Sequence, residues 1–407
     1  MNVIVIGGGP AGMIAAATAK NDFNTVTLLD GNEKLGKKLY ITGKGRCNVT
    51  NNCEPQEFLT NVVSNNKFLY SAIYSFSPAD TMSLIESYGV KLKTERGNRV
   101  FPESDKASDI IKALSKNLST KGVETKLNCK VISVEKADEK FIVKTTQGTF
   151  DADIVVVATG GKSYETTGST GDGYKIASNF GHKVVKLKPA LVPIDLKNFN
   201  SLLAGLSLKN VKATVNVFDK SFSEFGEMLF THTGVSGPII LSLSSRINSF
   251  DLKGAKLSID LKPALSIAQL DERLLRDFKN FNNKDFKNYI VELLPKSLID
   301  EFLDRLSFEC YKKVNSITKE NREEIIKLLK DFSFEISKLQ GIEYGIVTSG
   351  GVDTKEISPK TMESKLVKGL YFVGEVLDVD AVTGGFNIQI ALSTGFLAGQ
   401  DIFNIGG

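Results

Sequence analysis

Gly7, Gly9 and Gly12 stand at the spacing Gly-x-Gly-x-x-Gly, and Asp30 follows eighteen residues after the last of them. Glycine permits a tight turn at the first position, lets backbone approach a pyrophosphate at the second, and lets a helix pack close to a strand at the third. A helix opening at Pro10 and Ala11 would direct its unpaired N–H groups and positive dipole end at that phosphate, so an anion is favoured without a basic side chain. Asp30 is placed to accept the hydroxyls of an adenosine ribose, and it would repel a 2′-phosphate. The predicted chemistry is binding of a dinucleotide.

Other stretches carry candidate chemistry. Lys37, Lys38, Lys44 and Arg46 lie in a run punctuated by Gly36, Gly43 and Gly45. Beside a dinucleotide, Lys38 and Arg46 would stand near its phosphates; away from one, the run is a solvated basic turn. Near the C-terminus, Gly374-Glu375, Asp378-Val379-Asp380 and Gly384-Gly385-Phe386-Asn387-Ile388-Gln389 precede a run of small residues. That pattern reads as a second glycine-rich helix start aimed at another part of the same ligand. His232 and Ser236, in Thr231-His232-Thr233-Gly234-Val235-Ser236-Gly237-Pro238, are the side chains best suited to acid–base catalysis. No acid stands at motif spacing to orient the imidazole, and Gly-x-Ser-Gly-Pro suits a strand-to-helix turn, so a structural role is the preferred reading. His182 reads as a loop histidine.

Composition excludes several classes. The chain has 407 residues, 42% hydrophobic and 24% charged, as in ordinary globular proteins, and a net charge of +4 too small to argue for nucleic acid. Four cysteines (Cys47, Cys53, Cys129, Cys310) and two histidines form no metal-ligand motif, so no metal is expected. Cys47 and Cys53 are not a Cys-x-x-Cys pair, which argues against a redox dithiol. No apolar stretch approaches the roughly 20 residues of a spanning helix. The expectation is a cytoplasmic protein with reduced thiols and no membrane contact.

The elements that must position these residues are legible in outline. Residues 2–6 are an apolar strand, 13–20 an alanine-rich helix and 25–29 a second buried strand, which together make a βαβ unit. Residues 77–121 are mainly helical in pattern. Residues 129–135, 140–146 and 149–151 alternate as a short meander, and 153–158 form a returning buried strand that runs into Ala158-Thr159-Gly160. Strand-like alternation recurs at 212–218 and 256–261. Between 265 and 335 the apolar stripes are helical: Leu270, Leu274 and Phe278; Ile299, Phe302, Leu303 and Leu306; Ile325, Ile326, Leu329 and Phe332. Pro295 and Thr318 suit helix boundaries, the latter as an N-cap. A last strand, 370–373, ends at Gly374.

The order βαβ, meander, returning strand and Ala-Thr-Gly resembles the flavoproteins with two dinucleotide-binding domains. Gly7 to Gly12, the run from Lys37 to Asn48, Phe230 to Pro238, Thr348-Ser349-Gly350-Gly351-Val352 and Gly374 to Asn387 resemble, over the full chain, the bacterial three-domain NAD(P)/FAD-dependent oxidoreductases. That family includes aminoacetone oxidase and a reductase proposed for bile-acid dehydroxylation. The resemblance implies an α/β fold in which a Rossmann-like FAD-binding domain (1–189 and 340–407) carries a β-barrel-like substrate domain (190–264 and 336–339) and a helical insertion (265–335). It implies FAD held without a covalent link by Gly7, Gly9, Pro10, Ala11, Gly12, Asp30, Lys38, Leu39, Arg46, Asn48, Val131, Ala158, Thr159, Gly160, Gly374, Glu375, Gly385, Asn387 and Ile388. Glu375 stands where Asp is the commoner ribityl ligand of the wider class, and the helix after Gly385 would face the flavin pyrimidine edge.

Function does not follow from fold. No second strand-fed Gly-x-Gly-x-x-Gly is found: Gly168 to Gly173 lacks a preceding apolar strand and the third glycine of that spacing, so NAD(P)H would visit only transiently. The leading expectation is an FAD-dependent oxidoreductase that reduces a conjugated small molecule with NAD(P)H. Its rival is a flavin oxidase of a small amine or aminoketone. A flavin-dependent RNA-modifying or nucleic-acid-binding protein is the remote alternative, because the lysines of the helical insertion are interleaved with acids.

Overall fold

The apolar run Asn2–Ile6 forms the central strand of a five-stranded, wholly parallel sheet in the computed structural model, which describes residues 1–406. The sheet runs in the order Leu370–Phe372, Ile154–Val157, Asn2–Ile6, Thr25–Leu29, Glu124–Lys126. The three innermost strands bury nearly every residue, as a sheet covered on both faces must. The chain builds outward on one side of the first strand and then returns to the other side. That reversal puts a topological switch point between Asn2–Ile6 and Ile154–Val157, and the carboxyl ends of those strands open into a crevice where such sheets bind ligands.

Two helices lie against each other beside this sheet. Pro10–Ala19 has Pro at its first position, where no N–H is needed, and packs on Phe386–Gly406 through small residues. A Cβ at Gly395 would stand 2.3 Å from the Ala11 carbonyl oxygen, and one at Gly399 would stand 2.6 Å from Thr18 Cβ, so the two backbones approach as side chains would forbid.

The chain divides into two compact units, 1–190 with 341–407, and 191–340. The first also holds the meander Val131–Ala137, Lys140–Thr145 and Gly148–Ala152, and an antiparallel pair, Val184–Ala190 with Val347–Val352. Its 77–121 region is not helical throughout. Helices Pro78–Ser87 and Ala107–Thr120 flank a hairpin of Leu92–Glu95 and Arg99–Pro102, which turns at Gly97 and Asn98, both with positive φ. The Gly-Asn dipeptide forces that turn, and Pro102 blocks continuation as helix.

The second unit is a closed six-stranded barrel joined to helices. The strands run Ile194–Leu196, Gly234–Ser236, Lys220–Phe230, Ser207–Val217, Lys256–Asp260 and Phe332–Leu339, and the last closes on the first. Ile267–Asn280, Lys296–Leu303 and Lys319–Lys330 bury the expected stripes, except that Leu306 lies beyond the second helix, in the turn that ends it, and is only partly buried. Pro295 and Thr318 occupy N-cap positions, and Thr318 Oγ1 accepts from Asn321 N at 3.3 Å. Phe332 is not part of the third stripe. The helix stops at Asp331, whose φ of −143° and ψ of 71° are not helical, and Phe332, Phe334 and Ile336 alternate inward as barrel strand.

Candidate dinucleotide site

At the carboxyl edge of the parallel sheet the three fingerprint glycines differ in what surrounds them. Gly7 has φ +110°, and a Cβ there would lie 2.4 Å from the Ala158 carbonyl oxygen; a Cβ at Gly12 would lie 1.9 Å from the Gly7 carbonyl oxygen. Gly9 has nothing within 4 Å of its Cβ position. The outer two close the turn onto strand and helix, and the middle one faces open space at the start of Pro10–Ala19. This is the cradle a pyrophosphate requires.

Asp30 ends the strand Thr25–Leu29 and is only 9% exposed. Its Oδ2 accepts from Gly8 N at 2.6 Å, and its Oδ1 accepts from Asn32 N at 2.7 Å and Asn32 Nδ2 at 2.9 Å. The carboxylate thus also shapes the glycine turn. Asn32 reaches on to the Thr167 carbonyl oxygen at 3.2 Å and so ties the 160s loop to the acid. The Cys129 amide donates to the Asp30 carbonyl at 2.8 Å, which brings the start of Val131–Ala137 alongside. Asn32 escapes the glycine pattern. Its only sequence signal is an Asn two residues after the acid, in reach of an Asx-type turn.

Ala158, Thr159 and Gly160 follow the strand Ile154–Val157 at the same edge, and Gly374 follows Leu370–Phe372 with φ +74°. Beyond Gly374, the Glu375 carboxylate collects three donors: Lys38 Nζ at 2.6 Å, Thr348 N at 2.9 Å and Ser163 Oγ at 3.1 Å. Lys38 also donates to Ser163 Oγ at 2.8 Å. Lys38 and Arg46 therefore part company. The Arg46 guanidinium pairs with Glu95 and with Asp105 at 2.7 Å, and it lies 4.2 Å from the centre of the Phe101 ring. Leu39 is buried in the short helix Lys37–Ile41 that carries Lys38.

The second glycine-rich start is equally constrained. A Cβ at Gly385 would stand 2.4 Å from the Thr50 carbonyl, at the entrance to the helix Phe386–Gly406 that carries Asn387 and Ile388. The Asn387 amide is engaged within its own loop. It accepts from Ala381 N at 3.0 Å and donates to the Ala381 carbonyl at 2.8 Å. Two residues on, buried Gln389 accepts from Thr50 Oγ1 at 2.6 Å and donates to the Phe76 carbonyl at 3.1 Å and to Ser393 Oγ at 3.0 Å. Asp380 lies fully buried before this helix. Its Oδ1 accepts from Ser349 Oγ at 3.1 Å and its Oδ2 has no partner, and desolvation holds its carboxyl above the usual range.

The remaining candidates have surroundings of their own. His232 is exposed, in the turn joining two barrel strands of the second unit, and Ser236 leads through Gly237 into the helix Pro238–Ile247, a strand-to-helix turn. His182 is not an open loop residue. Its side chain is fully buried, with Nδ1 3.2 Å from Glu356 Oε2 and Nε2 2.8 Å from Ser364 Oγ, and desolvation lowers its pKa. Gly168 and Gly171 both have positive φ in a turn before the helix Asp172–Asn179, with no strand feeding it. Among the described residues, no group of His, Cys, Asp and Glu could hold a metal, and no helix is long and apolar enough to cross a membrane.

Comparison with known proteins places this geometry. The HI0933-like protein Rossmann domain family matches residues 1–401. The chain belongs to the HI0933-like family. Three curated proteins share nearly its whole length. It is 33% identical over 409 residues (98% of each chain) to a ribosomal RNA dihydrouridine synthase of Escherichia coli, and 31% identical over 405 residues (98% of each) to one of Haemophilus influenzae. It is 29% identical over 401 residues (97% of each) to the 3-dehydro-bile acid delta(4,6)-reductase of Clostridium scindens. A solved 3-ketosteroid delta1-dehydrogenase of Sterolibacterium denitrificans shares the fold, with a TM-score of 0.52, 13% identity and 99% of each chain covered.

This HI0933-like chain is an FAD-dependent oxidoreductase with a Rossmann FAD-binding domain. Its residues fit that cofactor. Gly9 opens on space, and the buried Asn48 Oδ1 and Thr159 Oγ1 have no partner within the protein. Cys47, in the same loop as Asn48, is fully buried, and desolvation pushes its thiol up to about 12. A thiol so protonated is a poor nucleophile for linking a flavin.

Proposed function

We propose that the protein saturates a carbon–carbon double bond conjugated to a carbonyl, with uracil in ribosomal RNA as substrate and NAD(P)H as electron donor. The observation that carries this reading is the chemistry common to the full-length relatives. Two are named for making dihydrouridine in ribosomal RNA, and the third for reducing a 3-dehydro bile acid with double bonds at positions 4 and 6. In both cases a hydride at the β carbon and a proton at the α carbon remove a double bond conjugated to C=O. Sequence alone ranks a small conjugated molecule first; relatives at 33% and 31% identity favour RNA.

When bound, FAD would supply the hydride-transfer chemistry, with NAD(P)H as the source of the electrons. This chain's part is to hold and orient. Gly7, Gly9 and Gly12, with Pro10 and Ala11, would receive the pyrophosphate on the helix start, and Asp30 would accept the ribose hydroxyls with the oxygen capacity that Gly8 and Asn32 leave free. Glu375, fixed by Lys38, Ser163 and Thr348, would meet the ribityl chain. The N-terminus of Phe386–Gly406, fixed by Thr50 and Gln389, would favour negative charge on the pyrimidine edge.

The test is anaerobic. NADPH or NADH should bleach the yellow protein within seconds, and an unmodified ribosomal RNA transcript should restore the colour while one uridine gains two hydrogens by mass spectrometry. Recolouring by a steroid dienone but not by RNA would favour the second reading, reduction of a small conjugated ketone, which the Clostridium scindens relative supports. Failure of both nicotinamides to bleach the flavin would sink the reductase reading and return the amine oxidase to first place.

A further inference from the structure

Two loops at the rim of the dinucleotide crevice carry large aromatic rings and unpaired cations that the cofactor site does not use. In one, Tyr40 is 50% exposed, with Lys34 Nζ 5.2 Å from its ring centre, and Lys44 follows on an exposed turn. In the other, Lys162 is exposed and Tyr164 is 38% exposed. Tyr164 has φ +56° and ψ +57°, a left-handed conformation that a bulky side chain adopts at a cost. Its carbonyl holds that conformation by accepting from Thr167 N at 2.8 Å and Thr167 Oγ1 at 2.7 Å.

The loops are fastened together by Lys38 Nζ on Ser163 Oγ at 2.8 Å and by Asn32 Nδ2 on the Thr167 carbonyl at 3.2 Å. Lys34, Lys44 and Lys162 make no ion pair among the described residues, whereas the nearby acid Glu33 is occupied by Lys37 at 3.3 Å. Glu165 is the opposing charge left on the rim. Exposed rings beside cations free to meet phosphate suit a single strand, whose bases stack while its backbone is neutralised.

Resting on the RNA reading above, we infer that residues 32–46 and 162–167 form a lip that holds the RNA strand flanking the target uridine. Tyr40 and Tyr164 stack neighbouring bases, and Lys34, Lys44 and Lys162 neutralise phosphates. A uracil removed from its stack needs its neighbours held while it reaches the flavin, and a lip at the crevice supplies that hold.

Binding of a fluorescent oligouridylate to the FAD-loaded full chain tests this. The triple variant Lys34→Glu, Lys44→Glu, Lys162→Glu should bind at least about tenfold more weakly, and its log–log salt slope should be shallower by roughly 2, from about 0.7 per phosphate lost. Tyr40→Ala and Tyr164→Ala should each weaken binding at least about fivefold with the slope unchanged. All should keep their FAD and bleach with NADPH at the wild-type rate. A control triple, Lys121→Glu, Lys360→Glu, Lys368→Glu, should bind as wild type. Wild-type protein that ignores the oligouridylate, lip variants that bind it unchanged, or a control that loses as much as the lip triple would each overturn the lip. Dihydrouridine formation is scored separately on the ribosomal transcript, so a lip that binds RNA in a protein that makes none would count against the substrate and not against the lip.

Discussion

Gly9 and Gly12 are both fingerprint glycines, yet a side chain meets different surroundings at each. Gly9→Val places its methyl groups in open space, so the apoprotein should melt within about a degree or two of wild type while FAD is excluded and the protein purifies colourless. Gly12→Val drives a side chain into the Gly7 carbonyl, and a loss of several kcal/mol or failure to fold is expected. Thermal melts with FAD content read both. Asp30 adds a second contrast. Its spacing suggests a ribose ligand, but gives no hint that it accepts from Gly8 and Asn32. Asp30→Ala should therefore lower FAD affinity at least about tenfold and also destabilise the apoprotein by about 1–3 kcal/mol, because buried donors lose their partner. Asp30→Asn retains one acceptor oxygen and should recover part of the stability; equal melting of Ala and Asn variants would refute the structural half of this role. The partners of Lys38 were beyond reading, since Glu375 stands 337 residues away and only the fold brings them to 2.6 Å.

Helix starts are where the proposed cofactor site draws on whole elements, and the start of Phe386–Gly406 is held by polar groups buried beneath it. Gln389→Leu removes the acceptor of Thr50 Oγ1, leaving that hydroxyl buried and unpaired, and one of the two donors to the Phe76 carbonyl, which keeps Ser393 Oγ at 2.6 Å. A loss of about 2–4 kcal/mol is expected, with weaker FAD binding, measured by denaturant unfolding and flavin fluorescence. Gln389→Glu tests whether neutrality matters, because a carboxylate there would set an oxygen, and no N–H, against the Phe76 carbonyl. This helix was visible in sequence through its glycines and small residues. The hairpin at 92–102 was not, because four-residue strands give too short a period to separate from the helices on either side. Phe332 was misplaced for a related reason: a residue that ends a helical stripe can equally begin a strand, and the Asp331 backbone decides which.

At the scale of the whole molecule, the buried Asp380 carboxyl should leave a mark on stability against pH. Its folded pKa lies above its unfolded value, chiefly through desolvation. Its contribution is then fully present below about pH 3.9, the unfolded value, and is lost as pH rises through the folded pKa. Asp380→Asn keeps the neutral shape, so it should melt higher than wild type at pH 8 and converge with it toward pH 4; a gap independent of pH would refute the assignment. The second unit poses a separate question of assembly. Its ends lie side by side, Ile194 pairing with Leu339 and Gln340 N donating to the Pro193 carbonyl at 3.1 Å. The first unit is likewise zipped shut at its own gap, where Ala190 pairs with Val347. Replacing residues 191–340 with a short Gly-Ser bridge should leave a soluble yellow protein, checked by its flavin spectrum; a colourless aggregate would show that the nucleotide unit leans on its insert. Such a junction behaves as a cloning site written into the backbone. Any segment whose two ends can meet as these do could stand in the cassette's place without disturbing the strand pairings of the nucleotide unit.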